Sequence, residues 1–207
     1  MCIRDSHCIE HLLDLEIDSR RKNSIARRFR QSKLDETPTI DLFDFHFHLS
    51  RKKQKNRILN LMTLDFIEEK KDIILIGNPG VGKTFLAKAI AYAATQANIK
   101  ALFTTTMNLI NHLIAADADR SLLKKLHDYE TPTLLVCDEI GYLPLGPQGS
   151  NLFFQVISQR HKKSSTIITT NLPFADWGKI FESTTVATAI ADRLVYNSCL
   201  LYTSPSP

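Results

Sequence analysis

The chain has 207 residues, of which 43% are hydrophobic and 23% charged, with a formal net charge of +4. That composition excludes wholesale disorder and allows one domain with a sizeable core. No run approaches the ~18 apolar residues of a membrane-spanning helix, and four cysteines in a chain this long do not make a disulfide framework. The expectation is therefore a cytoplasmic protein without membrane contact. The charge is uneven: residues 20–57 hold twelve Lys/Arg against four Asp/Glu, a net of +8, so the remainder carries −4.

Both ends look foreign. Residues 1–6 and 199–207 resemble translated adaptor sequence, so these segments are expected to be non-native tails on a protein cut at both ends. Cys2, His7, Cys8 and His11 lack the two separated ligand pairs of a zinc site. Between the tails, the expected organisation is a basic helical N-terminal region and linker over 7–56 and a core domain over 57–198.

In chain order, apolar spacing predicts a helix over 7–33, ended by Thr37-Pro38-Thr39. Residues 38–56 read as irregular, with an aromatic cluster at Phe43, Phe45 and Phe47; Phe43 and Phe45 read as packing groups, one of which could line a base pocket. Helical spacing returns over 57–69. Short apolar strands follow at 73–76, 101–105, 133–137 and 166–170. Helices are predicted between and after them, at 83–97, 107–116, 121–129, 150–162, 174–181 and 186–195. Strands alternating with helices imply an α/β fold with a parallel sheet covered by helices on both faces.

Gly77-Asn78-Pro79-Gly80-Val81-Gly82-Lys83-Thr84 matches G-x-x-x-x-G-K-[ST] between a predicted strand and a predicted helix. Glycines let successive N–H groups turn toward one anion, and the helix start adds its dipole. Lys83 is suited to the β- and γ-phosphates of ATP, and the Thr84 hydroxyl to Mg²⁺. The strand Leu134–Cys137 ends in Asp138-Glu139. Asp138 at the strand end suits Mg²⁺, and Glu139 suits polarising the attacking water, a pair that favours hydrolysis. Asn171, after Thr169-Thr170, either contacts the γ-phosphate or starts a turn before Leu172-Pro173. Arg193 is either a solvated helical residue or an arginine finger presented to a neighbouring subunit's ATP.

Phosphate loop, strand-end Asp138-Glu139, strand-end Asn171 and late Arg193 follow the order of AAA+ ATPases. Their surroundings are more specific. Ser24–Arg28, Phe43–Phe45, Leu64–Ile67, Asp138–Leu145, Asn151–Gln155, Thr169–Phe174, Trp177-Gly178 and Asp192–Leu194 resemble the IstB-like ATP-binding proteins, helper ATPases of insertion-sequence transposition related to the helicase loader DnaC. The likeness runs over about residues 8–198. It implies an AAA+ core over 57–198, ATP-dependent self-assembly on duplex DNA, and delivery of that DNA to a transposase. It also implies a further strand beside Ile73–Ile76, expected to be missing or imitated by residues 199–203.

The basic front section is the expected DNA grip, with Arg20, Lys22, Arg27, Arg28 and Arg30 on the first helix. Arg51, Lys52, Lys53, Lys55 and Arg57 form a second basic cluster, from which Lys53 is also a candidate. A solvated charged face is the alternative. Three rival functions remain: a DnaC-like helicase loader, a small-molecule P-loop kinase, and a non-hydrolysing nucleotide switch.

Overall fold

The computed structural model describes residues 3–47 and 49–202. Cys2 lies outside the described residues, as do the side chains of His7, Cys8 and His11. The N-terminal region is a long helix, α1 (Ile3–Gln31), a turn of 3₁₀ helix at Ile40–Leu42, and α2 (Leu49–Leu61). A short α3 (Asp65–Glu68) leads into the sheet.

Two expectations about this region need correcting. Residues 38–56 are not irregular throughout, because α2 begins at Leu49. The inward stripe of α2 runs through Arg51, Gln54, Ile58 and Leu61. Its first member is a buried arginine, so the apolar spacing that marks a helix is absent there. The helix expected over 57–69 is also split, at Leu64, whose backbone is left-handed with φ 67°.

From Asp72 onward, β1 (Asp72–Ile76), α4 (Lys83–Gln96), β2 (Ala101–Thr105), α5 (Thr106–Ala118), α6 (Leu122–Glu130) and β3 (Leu134–Ile140) follow in order. Then come α7 (Gly146–Arg160), β4 (Ser165–Thr170), α8 (Trp177–Ile180), α9 (Thr184–Val195) and β5 (Ser198–Tyr202). Helix α7 starts four residues before the predicted Ser150, with Pro147 in its first turn, where a missing N–H costs nothing.

The strands form one sheet in the order β2-β3-β4-β1-β5, and every neighbouring pair is parallel. The fifth place is not missing: of the two expectations, the structure follows the second, with a strand at nearly the residues expected to imitate it. Ser198–Tyr202 pairs with β1 in the register Asp72–Ser198 through Ile76–Tyr202.

Alternate side chains of each strand enter two cores. Ile74, Ile76, Leu135, Cys137 and Ile168 pack under α5 to α9. Ile73, Leu75, Leu134, Val136, Ile167 and Leu201 pack under α2, α3 and α4, joined by Leu34 from just beyond α1. The helices thus cover both faces, as a buried parallel sheet requires. Ala87, Ala91 and Ala94 let α4 lie close on its side of the sheet.

A buried guanidinium fastens the far end of the sheet. Arg160, 1% exposed, donates to the carbonyls of Tyr129 (2.9 Å), Pro132 (2.8 Å) and Ser165 (2.6 Å) and to Thr166 Oγ1 (3.1 Å). Beside it, Asp72 Oδ1 accepts the Thr166 N–H at 2.7 Å. Burial pushes the Asp72 carboxyl up to about 7, against the opposing pull of the Thr166 hydrogen bonds and the Arg160 charge.

Candidate nucleotide site

The carboxyl ends of three adjacent strands, β3, β4 and β1, open into one cleft, the place where parallel sheets take ligands. The loop after β1 is tied to its neighbour, because Gly77 N donates to Thr170 O at 3.1 Å. Gly82 then caps α4 with φ 87°, a left-handed conformation that glycine adopts without strain. Lys83 Nζ lies inside the loop's curve, donating to Gly77 O (2.8 Å) and Asn78 O (2.9 Å). Partial burial lowers the Lys83 pKa, and the charges of Asp138 and Glu139 oppose that.

Thr84 Oγ1 donates to Asp138 Oδ1 at 3.1 Å, so the two predicted metal ligands are adjacent. Asp138 is 2% exposed, whereas Glu139 is exposed at the cleft. Successive side chains on a strand face opposite sides, and the backbone here is irregular as well. The register of β3 against β4 shifts between Cys137 and Ile140, and Glu139 is left-handed with φ 61°. A bulge of this kind re-aims a side chain at a strand end.

Thr169 of β4 holds the bulge. Its hydroxyl donates to Asp138 Oδ1 at 2.5 Å and accepts the Glu139 N–H at 2.8 Å. Sequence reasoning missed Thr169; the signal was its place two residues before Asn171 in the same strand end. Asn171 lines the cleft with Pro79, Gly80, Lys83, Thr84 and Glu139, as do Thr170 and Tyr142, which were also missed.

Chemically, the cleft offers a lysine ammonium, the Thr84 hydroxyl, an exposed carboxylate and a side-chain amide; Asp138, buried behind the lining and bonded to Thr84, adds a second hard oxygen donor of the kind that suits a magnesium ion. Arg193 is not among its lining residues. The Arg193 guanidinium lies 4.6 Å over the Phe154 ring and donates to Ala189 O at 2.9 Å, on its own helix.

The basic residues fall into several settings. Arg20, Arg27 and Arg30 share a shallow groove on α1 with Asn23 and Ser24, and Arg20 pairs with Glu16 at 2.7 Å. Lys22 and Lys53 are exposed. Arg28 is half-buried, and its Nε finds no hydrogen-bond partner among the described residues. Arg51 differs from the rest of its cluster: it is 7% exposed and reaches the phosphate loop, donating from Nε to Val81 O at 3.0 Å.

Comparison with known proteins agrees with this geometry. The family described as IstB-like ATP binding protein matches residues 4–205. A protein of insertion sequence IS5376 from Geobacillus stearothermophilus, named for ATP binding, is 40% identical over 195 residues, covering 94% of this chain and 77% of its own. A counterpart from insertion sequence IS21 of Pseudomonas aeruginosa is 37% identical over 189 residues, covering 91% and 71%. Among solved structures, the DnaC helicase loader superposes with a TM-score of 0.67 at 24% identity, covering 80% of this chain and 96% of its own. AMPPCP-bound DnaA from Aquifex aeolicus gives 0.68 at 14%, covering 82% and 51%. The last two similarities concern the fold, which is that of AAA+ P-loop domains. Taken with the phosphate loop and the paired acids at the end of β3, the match over nearly the whole length places this chain in the IstB-like ATP-binding protein family.

Proposed function

We propose that the protein is an ATP-hydrolysing, DNA-binding helper of transposition, which assembles on target duplex DNA and delivers it to a transposase. One observation carries the hydrolytic part: Thr169 joins the buried Asp138 to the exposed Glu139 at the cleft that Lys83 and Asn171 also line. In this reading the loop N–H groups and Lys83 hold the phosphates of ATP, and Glu139 takes a proton from the attacking water. Asn171 orients that water or the γ-phosphate. Thr84 and Asp138 would hold Mg²⁺, which when bound neutralises charge developing on the phosphate oxygens.

Arg193 completes the site from the next subunit, so nucleotide state governs assembly. The position of Arg193 outside its own cleft fits a role in trans. The α1 groove of Arg20, Arg27 and Arg30, helped by Lys22, Arg28 and Lys53, grips duplex phosphates without reading sequence. Names given to the relatives, all from insertion sequences, support the transposition context.

The test is phosphate release with and without duplex DNA, at several salt concentrations. We expect DNA to stimulate turnover, with an effect that falls as salt rises, and substituting Arg20, Arg27 and Arg30 together to flatten that salt dependence. Turnover indifferent to DNA would remove the helper reading. The fold likeness to DnaC keeps a second reading in view, a helicase loader. Capture of a transposase of the insertion-sequence kind, against capture of a replicative helicase, separates the two.

A further inference from the structure

Arg51 belongs to α2, in the N-terminal region, yet its side chain ends against the phosphate loop. Its Nε donates to Val81 O at 3.0 Å and its Nη1 to Asp44 O at 2.9 Å. The guanidinium carbon lies 4.4 Å from the centre of the Phe43 ring and 4.8 Å from that of Phe47. A Cβ added at Gly82 would meet Arg51 Nη2 at 2.7 Å and Phe43 at 2.9 Å. Arg51 therefore lies directly on the peptide joining Val81 to Gly82.

That peptide's orientation matters for binding an anion. In a trans peptide the C=O and the following N–H point to opposite sides. Drawing the Val81 carbonyl toward Arg51 turns the Gly82 N–H the other way. The Val81–Gly82 peptide and Arg51 lie behind the cleft lining, which includes the flanking Gly80, Lys83 and Thr84. A carbonyl left facing the cleft would present a partial negative charge to the phosphates, and Arg51 removes that possibility. The buried cation adds a favourable field for a polyphosphate. Burial lowers its pKa, with the Asp44 charge acting in the opposite direction.

We propose that Arg51 is a positioning residue for nucleotide, holding the Val81–Gly82 peptide in its phosphate-binding orientation from the N-terminal region. The proposal rests on the nucleotide reading of the cleft. It gives Arg51 a different task from Lys52, Lys53, Lys55 and Arg57, which are exposed on the same helix.

The experiment titrates a fluorescent ATP analogue into the full chain, comparing wild type with Arg51→Lys and Arg51→Met. Melting temperatures without nucleotide are measured in parallel. Methionine keeps an apolar stem between the phenylalanines but cannot donate to Val81. Lysine keeps the charge but has no planar fork to span Val81 and Asp44. The expected result is a Kd at least ~10-fold weaker for methionine and several-fold weaker for lysine, with KM for ATP rising in step and kcat changing less. If both variants bind within twofold of wild type, Arg51 only fastens the fold, and the proposal is overturned. Should the methionine variant not fold, the lysine variant decides alone by the same twofold limit. Failure of the wild type itself to bind the analogue would instead sink the nucleotide reading.

Discussion

The Thr169 hydroxyl spends its one proton on Asp138 and receives the Glu139 N–H in return, so three residues from two strands behave as a unit. Within this unit Glu139 alone is exposed, and on the proposed roles it serves turnover rather than the binding of nucleotide. Glu139→Gln should therefore keep ATP affinity within a few-fold while turnover falls by ~10²-fold or more, the usual effect of losing a general base. Equilibrium binding and phosphate release on the same preparation check this. At the opposite end of the sheet, Asp72 makes a prediction about pH. Its carboxyl sits at about 7 in the fold against an ordinary 3.8. Between those values the native state holds a proton that the unfolded chain lacks, so stability falls as pH rises across the window and levels off above it. Asp72→Asn keeps an acceptor for Thr166 N and cannot ionise. It should melt higher than wild type at pH 8, by ~2–4 °C for each kcal/mol recovered, with the gap closing toward pH 4. A gap that widens on acidification would show that Asp72 is favoured in its charged form.

Among the elements, β5 has the most leverage for its size. Pairing with it makes β1 an interior strand, and β1 runs directly into the phosphate loop. Leu201 is fully buried in the core that also holds Ile73, Leu75 and Ile167. Leu201→Ala should cost roughly 2–5 kcal/mol, the range for a buried leucine whose cavity stays open. Nucleotide affinity should drop alongside, read by denaturant melts with and without ATP. Strands β1 and β3 were legible from sequence as continuous apolar runs, and β2 and β4 as shorter apolar runs passing into threonines, each alternating with a helical stretch. Ser198–Tyr202 is as apolar as these, but it overlaps the segment expected to be a non-native tail, so its sequence did not read as a regular strand of the sheet. The start of α2 was illegible for another reason: its inward stripe opens with Arg51, and no periodicity rule expects an arginine to be buried against a loop. The phosphate-loop residues and the two acids were legible because their chemistry fixes residue type. The register shift at the two acids was not, since it depends on pairing with β4.

At the scale of the whole molecule, the groups proposed for turnover divide between one cleft and a helix whose arginine is outside its lining. Lys83, Glu139 and Asn171 line the cleft, whereas Arg193 of α9 stacks on Phe154 of α7. This division makes a mixing experiment decisive. Lys83→Ala subunits lack a working phosphate loop but still carry Arg193, and Arg193→Ala subunits have the reverse defect. Each should be nearly inactive alone, and combining them on duplex DNA should restore measurable phosphate release. A mixture as inactive as its components would mean that Arg193 serves its own subunit or none.

The left-handed backbone at Glu139 bears on how such a protein could decay. A glutamate at φ 61° costs the fold something of order 1 kcal/mol that glycine would not. Glycine at 139 would therefore relieve strain while deleting the proposed base. On the proposed function, a copy no longer selected for turnover but still kept folded would be drawn to that replacement. Position 139 can then serve as a marker, with glycine there separating retired copies from working ones before any assay is run.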